Sequence, residues 1–221
     1  MSFLLIVSLI AVVSVGMLLM KIFSAVQPSD KQIDADIKAM KADLEPLTKD
    51  LLPISKEELE LFSQSQINAA LKKKGGISAK GVFTTIYHEP LVAYSYKRYP
   101  SAKLNAVLYA RSADHEFVYR IKKGEIQLVV DLKHAGTLKD NGVLYDARNR
   151  PVASINRAHD KLLPVQVEDR EVGNLLKPLP EAKKELSQRA FELVRPDLND
   201  KEETLFLSLA VLELVNRSVE K

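Results

Sequence analysis

The chain holds four histidines, and three stand beside a carboxylate: His88-Glu89, Asp114-His115 and His159-Asp160. An imidazole paired with an acid is common equipment for general acid–base catalysis. In a strand, however, adjacent side chains point to opposite faces, so none of these neighbours can cooperate within one strand. No H-x-H, H-x-x-x-H or H-E-x-x-H spacing offers a metal site. The absence of cysteine removes disulfides, thiolate ligands and a Cys nucleophile together. Serine-nucleophile and Rossmann patterns are missing, and Gly75-Gly76 follows an expected helix where a phosphate loop would precede one. The histidines read as surface residues near turns. An enzyme would need residues that converge only in three dimensions.

Binding is better signed than catalysis. Between Lys72 and Lys103 the basic residues Lys72, Lys73, Lys74, Lys80, Lys97, Arg98 and Lys103 face a single acid, Glu89, with Tyr87, Tyr94, Tyr96 and Tyr99 interleaved. The candidate binding residues are Lys72, Lys73, Lys74, Tyr94, Tyr96, Lys97, Arg98 and Tyr99. Anionic lipid headgroups are one fitting ligand, each basic residue adding about 1 kcal/mol near a charged surface. An acidic protein partner is the other, with the tyrosines supplying contact area. The spread of the charges over strands and loops favours the protein. A solvated strand face behind a triple-lysine helix end is the plainer alternative. A net charge of +3 with mixed signs elsewhere lacks a nucleic-acid footprint. No cofactor or metal is implied.

These residues must be positioned by the elements around them, and the first of those is apolar. Phe3 to Met20 carries no charge, and its roughly 18 residues span about 27 Å as a helix. With Lys21 snorkelling and Ile22 and Phe23 added, the run matches a bilayer's hydrocarbon core of about 30 Å. A cleaved signal peptide is the rival reading, but no Lys or Arg precedes the run and Phe23-Ser24-Ala25 is a poor cleavage site. Lys21, Lys31, Lys38 and Lys41 all follow it, which places the C-terminal part in the cytoplasm and the N-terminus outside. The expected organisation is a transmembrane anchor over 1–23, a juxtamembrane helical segment over 24–78, and a β-rich domain with C-terminal helices over 79–221.

Ser29 with Gln32 opens a first juxtamembrane helix, whose Ile33, Ile37, Met40, Leu44 and Leu47 form one apolar seam. With Pro46 and Pro53 ending it after about two heptads, it reads as an amphipathic helix lying on its own domain or on the membrane rather than a coiled coil. Ser55 with Glu58 predicts a second helix, running through Leu61, Phe62, Ile67 and Leu71 to Lys72-Lys73-Lys74 and Gly75-Gly76. Short alternating runs follow: Val82 to Tyr87, Leu91 to Tyr96, Leu104 to Ala110 and Glu116 to Ile121. Lys122-Lys123-Gly124-Glu125 marks a hairpin and Asp140-Asn141-Gly142 a turn. Two similar units, VLYDARNRPVASI and LPVQVEDREVGNLL, read as strand, charged turn, strand. A helix from Pro180 that uses Leu186, Ala190, Leu193 and Val194 is expected to end at Pro196. The last helix, Leu205 to Val215, is polar only at Ser208 and Glu213, so it must be surrounded. It is too short to cross a bilayer and is expected at the centre of the domain.

Those two hairpin units and the run NDKEETLFLSLAVLELV resemble the tubby, LURP-one and phospholipid-scramblase superfamily, over about residues 81–221. The resemblance implies an antiparallel barrel closed around a hydrophobic C-terminal helix, and action at membranes or on anionic lipids. It carries over no individual binding residue. The anchor here is N-terminal where scramblases have theirs at the C-terminal end, and their Cys-rich segment is absent. The fold class expected is α+β: a single N-terminal transmembrane helix, juxtamembrane helices, then a barrel-like antiparallel sheet around an apolar helix. The function expected is non-catalytic binding or scaffolding at a membrane, as an accessory subunit of a membrane complex. A lipid-contacting module and a tethered enzyme with a non-local site are the alternatives.

Overall fold

A twelve-stranded antiparallel sheet rolls up around one apolar helix, in a computed structural model that describes residues 13–15, 28–73, 76–101, 104–159, 161–177 and 188–220. The strands follow one another in chain order: β1 (Phe62–Lys72), β2 (Ile77–Thr85), β3 (Pro90–Arg98), β4 (Asn105–Arg111), β5 (Glu116–Lys122) and β6 (Glu125–Val130). They continue as β7 (Lys133–Leu138), β8 (Val143–Tyr145), β9 (Pro151–Ile155), β10 (Leu162–Val167), β11 (Arg170–Leu176) and β12 (Phe191–Val194). Every neighbouring pair is antiparallel, as short turns between consecutive strands require. The two sheet ends meet: Ser63 bridges Arg189, the Ala190 amide donates to the Phe62 carbonyl at 2.7 Å, and Gln64 N–H donates to Gln188 O at 2.9 Å. That contact leaves few unpaired edge groups.

Helix α1 (Asp30–Thr48) lies outside the sheet and helix α2 (Asp200–Glu220) inside it. The α1 cap is the expected one, Ser29 Oγ accepting from the Gln32 amide at 3.2 Å. Its seam of Ile33, Ile37, Met40, Leu44 and Leu47 packs on Val82, Ala93, Val107, Tyr109 and Val118, the outward side chains of β2 to β5. The expected helix lying on its own domain is therefore what forms, though Pro46 stands within the helix rather than after it. Helix α2 starts with a reciprocal cap, Glu202 N–H to Asn199 Oδ1 at 2.9 Å and Asn199 N–H to Glu202 Oε2 at 2.8 Å. From Leu205 to Val215 only Glu213 is not fully buried. Gly173 lets β11 approach this helix, since a Cβ there would stand 2.8 Å from the Phe206 ring. The Tyr119 hydroxyl donates to Ser208 O at 2.7 Å, which answers a polar group that the apolar interior would otherwise strand.

The sheet corrects two expectations. The Ser55–Glu58 box is real, but it opens only a 3₁₀ helix, Lys56–Leu61, and the expected second helix becomes strand β1. Its residues have helix propensity, yet Phe62 must sit against Phe83 and Phe191 at ring distances of 6.0 and 5.4 Å, and β2 offers a pairing edge. Tertiary pairing outweighs a few tenths of a kcal/mol per residue of propensity. Likewise Leu193 and Val194 lie on β12 rather than on a helix, because Phe191 buries against Phe206 with centroids 4.9 Å apart. Residues 178–187, where that helix was expected to begin, lie outside the described ones. So does nearly all of the apolar run 3–23, except Val13–Val15, which are helical and exposed. Among the described residues no helix is long and apolar enough to cross a membrane.

Burial raises the phenols of Tyr94 and Tyr109 to about 12. A raised native pKa means that the stabilisation is complete below the unfolded value of about 10 and is lost as pH rises through the native one. These phenols should therefore ionise together with unfolding, between about pH 10 and 12. Tyrosinate absorbance followed alongside circular dichroism checks this, and their ionisation near pH 10 in a protein still folded would contradict the packing.

Candidate functional site

In an antiparallel meander the turns alternate between two ends, and here they differ in charge. At one end stand Lys73, Lys123, Lys139, Arg157, Lys161 and Lys177, with Asp140 the one acid among the described turn residues. At the other end stand Glu89, Asp114, Asp131, Asp146, Glu168, Asp169 and Asp197, against Arg148, Arg150 and Arg195. Helix α2 runs from the acidic end to the basic one, so its dipole accounts for charges within its first and last turns. It does not account for Lys123 or Lys139, which stand in turns between strands of the barrel wall.

Helix α1 begins at the basic end. Pro28, Asp30 and Ile33 form one wall of a groove of about 690 Å³, and Tyr99, Asn105, Arg120, Lys122, Lys123 and Asp140 line the rest with neighbouring β5 and β6 residues. Two residues of its lining carry a buried polar atom without a hydrogen-bond partner: Asn105 Oδ1, an acceptor, and Arg120 Nε, a donor. Arg120 is held by Asp34 of α1 at 2.6 Å through a terminal nitrogen. Among the described residues Lys122, Lys123, Asp30, Glu125 and Asp140 make no ion pair, so the mouth of the groove carries both signs unpaired. The type I′ turn that presents Lys123 needs two left-handed residues, supplied by Lys123 at φ 58° and Gly124 at φ 95°.

The expected basic–aromatic patch does not form one surface. Tyr94 and Tyr96 point into the barrel and are 2% and 4% exposed. Tyr94 stacks on Phe83 and donates to Gln66 Oε1 at 2.7 Å. Tyr99 is buried beneath α1, donating to Asp36 Oδ2 at 2.6 Å, and Lys97 pairs with the same carboxylate at 2.8 Å. Burial first, then the Asp36 carboxylate, raises the Tyr99 phenol far above its ordinary value. Lys72, Lys73 and Arg98 are exposed at the basic end, and Lys74 lies outside the described residues. Tyr94, Tyr96 and Tyr99 thus hold the barrel and its helix together and offer a partner no contact area. Sequence reading missed Asn105, Arg120, Lys122 and Lys123, whose common signal is only that each sits at a strand end next to a turn.

His115 has a carboxylate partner, but not its neighbour Asp114. Its Nδ1 lies 2.8 Å from Asp131 Oδ2 and its Nε2 3.4 Å from Thr204 Oγ1. Thr204 already donates to the Asp200 carbonyl at 2.6 Å, so its hydroxyl serves the first turn of α2. Asp131 also accepts from the Glu116 amide, and these bonds with His115 hold its carboxyl below the usual range against the opposing effect of its partial burial. Among the described residues no group of acids and histidines is arranged to hold a metal ion.

No family model matches the chain, and neither a curated protein nor a solved structure matches it.

Proposed function

We propose that this protein is a membrane-anchored, non-catalytic binding module whose groove at the start of α1 takes the headgroup of an anionic lipid. The observation that carries this reading is that α1 starts at the basic end of the barrel, while the apolar run 3–23 ends only a few residues before Pro28. A bilayer that held that run as its single transmembrane anchor would meet the basic turns first. Lys21, Lys31, Lys38 and Lys41 favour the cytoplasmic side, where the anionic leaflet lies. The apolar side chains of Val13 and Val15, the described valines of that run, are 48% and 59% accessible, which supports the anchor reading. A barrel closed around an apolar C-terminal helix supports the resemblance to the tubby, LURP-one and scramblase group.

The groove's chemistry narrows the headgroup. Arg120, Lys122 and Lys123 suit a phosphate, while Asn105 Oδ1, Asp30 and Asp140 suit hydroxyl or ammonium donors on the same headgroup. Reconstitution of the full chain into nanodiscs of phosphatidylcholine, with and without phosphatidylserine, tests it. Hydrogen exchange at 122–124 and 139–142 should slow with the acidic lipid, while the turns at the other end stay unchanged. Lys122→Gln with Lys123→Gln removes about 2 kcal/mol, which is roughly thirtyfold in apparent affinity. Protection that ignores lipid charge would refute the reading. The accessory-subunit reading is favoured by a separate surface, at the acidic end.

A further inference from the structure

We infer that the acidic rim of the barrel, opposite the groove, docks a lysine- or arginine-rich segment of a protein partner that also carries apolar side chains. This goes beyond the lipid reading and stands on different residues. Tyr87 and Leu132 are the most exposed large hydrophobic side chains among the described residues, at 68% and 86%. Both stand at this rim. Tyr87 is in the β2–β3 turn and Leu132 in the β6–β7 turn, with the β4–β5 turn between them, so about four strand spacings, or roughly 19 Å along the sheet, separate them. Leu52 flanks the same arc, its amide donating to the Pro90 carbonyl at 2.9 Å, and it is 43% exposed. The acids interleaved along the arc are Glu89, Asp114 and Asp131, all exposed.

The turn geometry makes Leu132 costly to keep. Asp131 and Leu132 both adopt positive φ, 48° and 65°, as a two-residue type I′ turn requires. The turn between β5 and β6 meets that demand with Gly124, but here a leucine takes the left-handed position and is left in water. His88 beside Tyr87 is likewise left-handed, at φ 67°. Local folding would favour Gly or Asn at 132. A side chain held against both backbone preference and solvation fits a contact made by something outside the chain. Acids around isolated apolar anchors select a partner of the opposite charge with apolar residues among its bases.

The probe is a short synthetic peptide of alternating Lys and Leu, compared with one in which Ser replaces Leu. Binding is measured to the full chain in phosphatidylcholine nanodiscs, above that to empty nanodiscs. The Lys/Leu peptide should bind about tenfold tighter than the Lys/Ser peptide, and a photoreactive leucine in it should cross-link within 86–89 and 131–132. Leu132→Gly with Tyr87→Ser should weaken the Lys/Leu peptide about tenfold. Leu132→Gly alone should raise Tm by about 2–4 °C, because it relieves the turn. Lys122→Gln with Lys123→Gln should leave peptide binding unchanged, which separates this rim from the headgroup groove. Equal binding of the two peptides, cross-links at the basic end, or a Tm that falls with Leu132→Gly would overturn the inference.

Discussion

Leu209→Asp should unfold the barrel. Leu209 is 2% exposed on α2, and the helix is enclosed on all sides by inward residues of the sheet such as Phe83, Leu108, Val165 and Leu175. A carboxylate there has no cation to meet, and even if it takes up a proton it strands a polar group in an apolar centre. The loss of leucine's transfer energy adds to that, for a total of several kcal/mol. A domain of this kind has about 5–15 kcal/mol of net stability, so most or all of it disappears. Leu209→Met keeps the volume and should cost less than about 1.5 kcal/mol. Leu193→Asp, at a position 49% exposed, should change stability by no more than about 0.5 kcal/mol. Thermal unfolding of the three variants checks the ranking. An unchanged melting temperature for Leu209→Asp would mean that α2 lies on the surface.

That helix was legible because its composition admits one environment: eleven residues with two polar ones cannot face water. The seam of α1 was legible for a similar reason, since Ile33, Ile37, Met40, Leu44 and Leu47 keep one face over four turns. Hairpins with Gly at a left-handed position, such as Lys123-Gly124, announce themselves. What stayed hidden depends on contacts between distant parts of the chain. The residues of β1 prefer a helix locally, and only β2 on one side and the 188–190 segment on the other make them a strand. Tyr94 and Tyr96 alternate with Ser95 and Lys97, so the sequence shows that they share a face but not that the face is the interior. Tyr99 looks outward and is buried anyway, because a helix more than fifty residues upstream covers it. The groove was invisible for the same reason: Asp30, Asn105, Arg120 and Asp140 belong to four separate stretches that meet only when the barrel closes.

Leu44→Asp should release α1 while the barrel stays folded. Four ion pairs tie the helix down: Asp34–Arg120 at 2.6 Å, Asp36–Lys97 at 2.8 Å, Lys41–Glu116 at 2.6 Å and Asp43–Lys80 at 3.0 Å. Their side chains are partly open to solvent, so each contributes no more than about 1 kcal/mol and is weakened by salt. Leu44 is fully buried and Met40 is 7% exposed, and truncating a buried leucine costs about 2–5 kcal/mol. An aspartate at 44 removes that burial and also sets a charge against Val82, Ala93 and Val107. The apolar contact therefore decides whether the helix stays. Trypsin should cut the variant at Lys38 and Lys41 long before it degrades the barrel, and the wild-type helix should resist cutting even at high salt. Release also removes Asp30 and Ile33 from the groove. Slowed exchange at 122–124 on acidic nanodiscs should then disappear with Lys122 and Lys123 still in place. If salt alone released the helix as well as the substitution does, the ion pairs would be the clasp and the apolar seam only its lining.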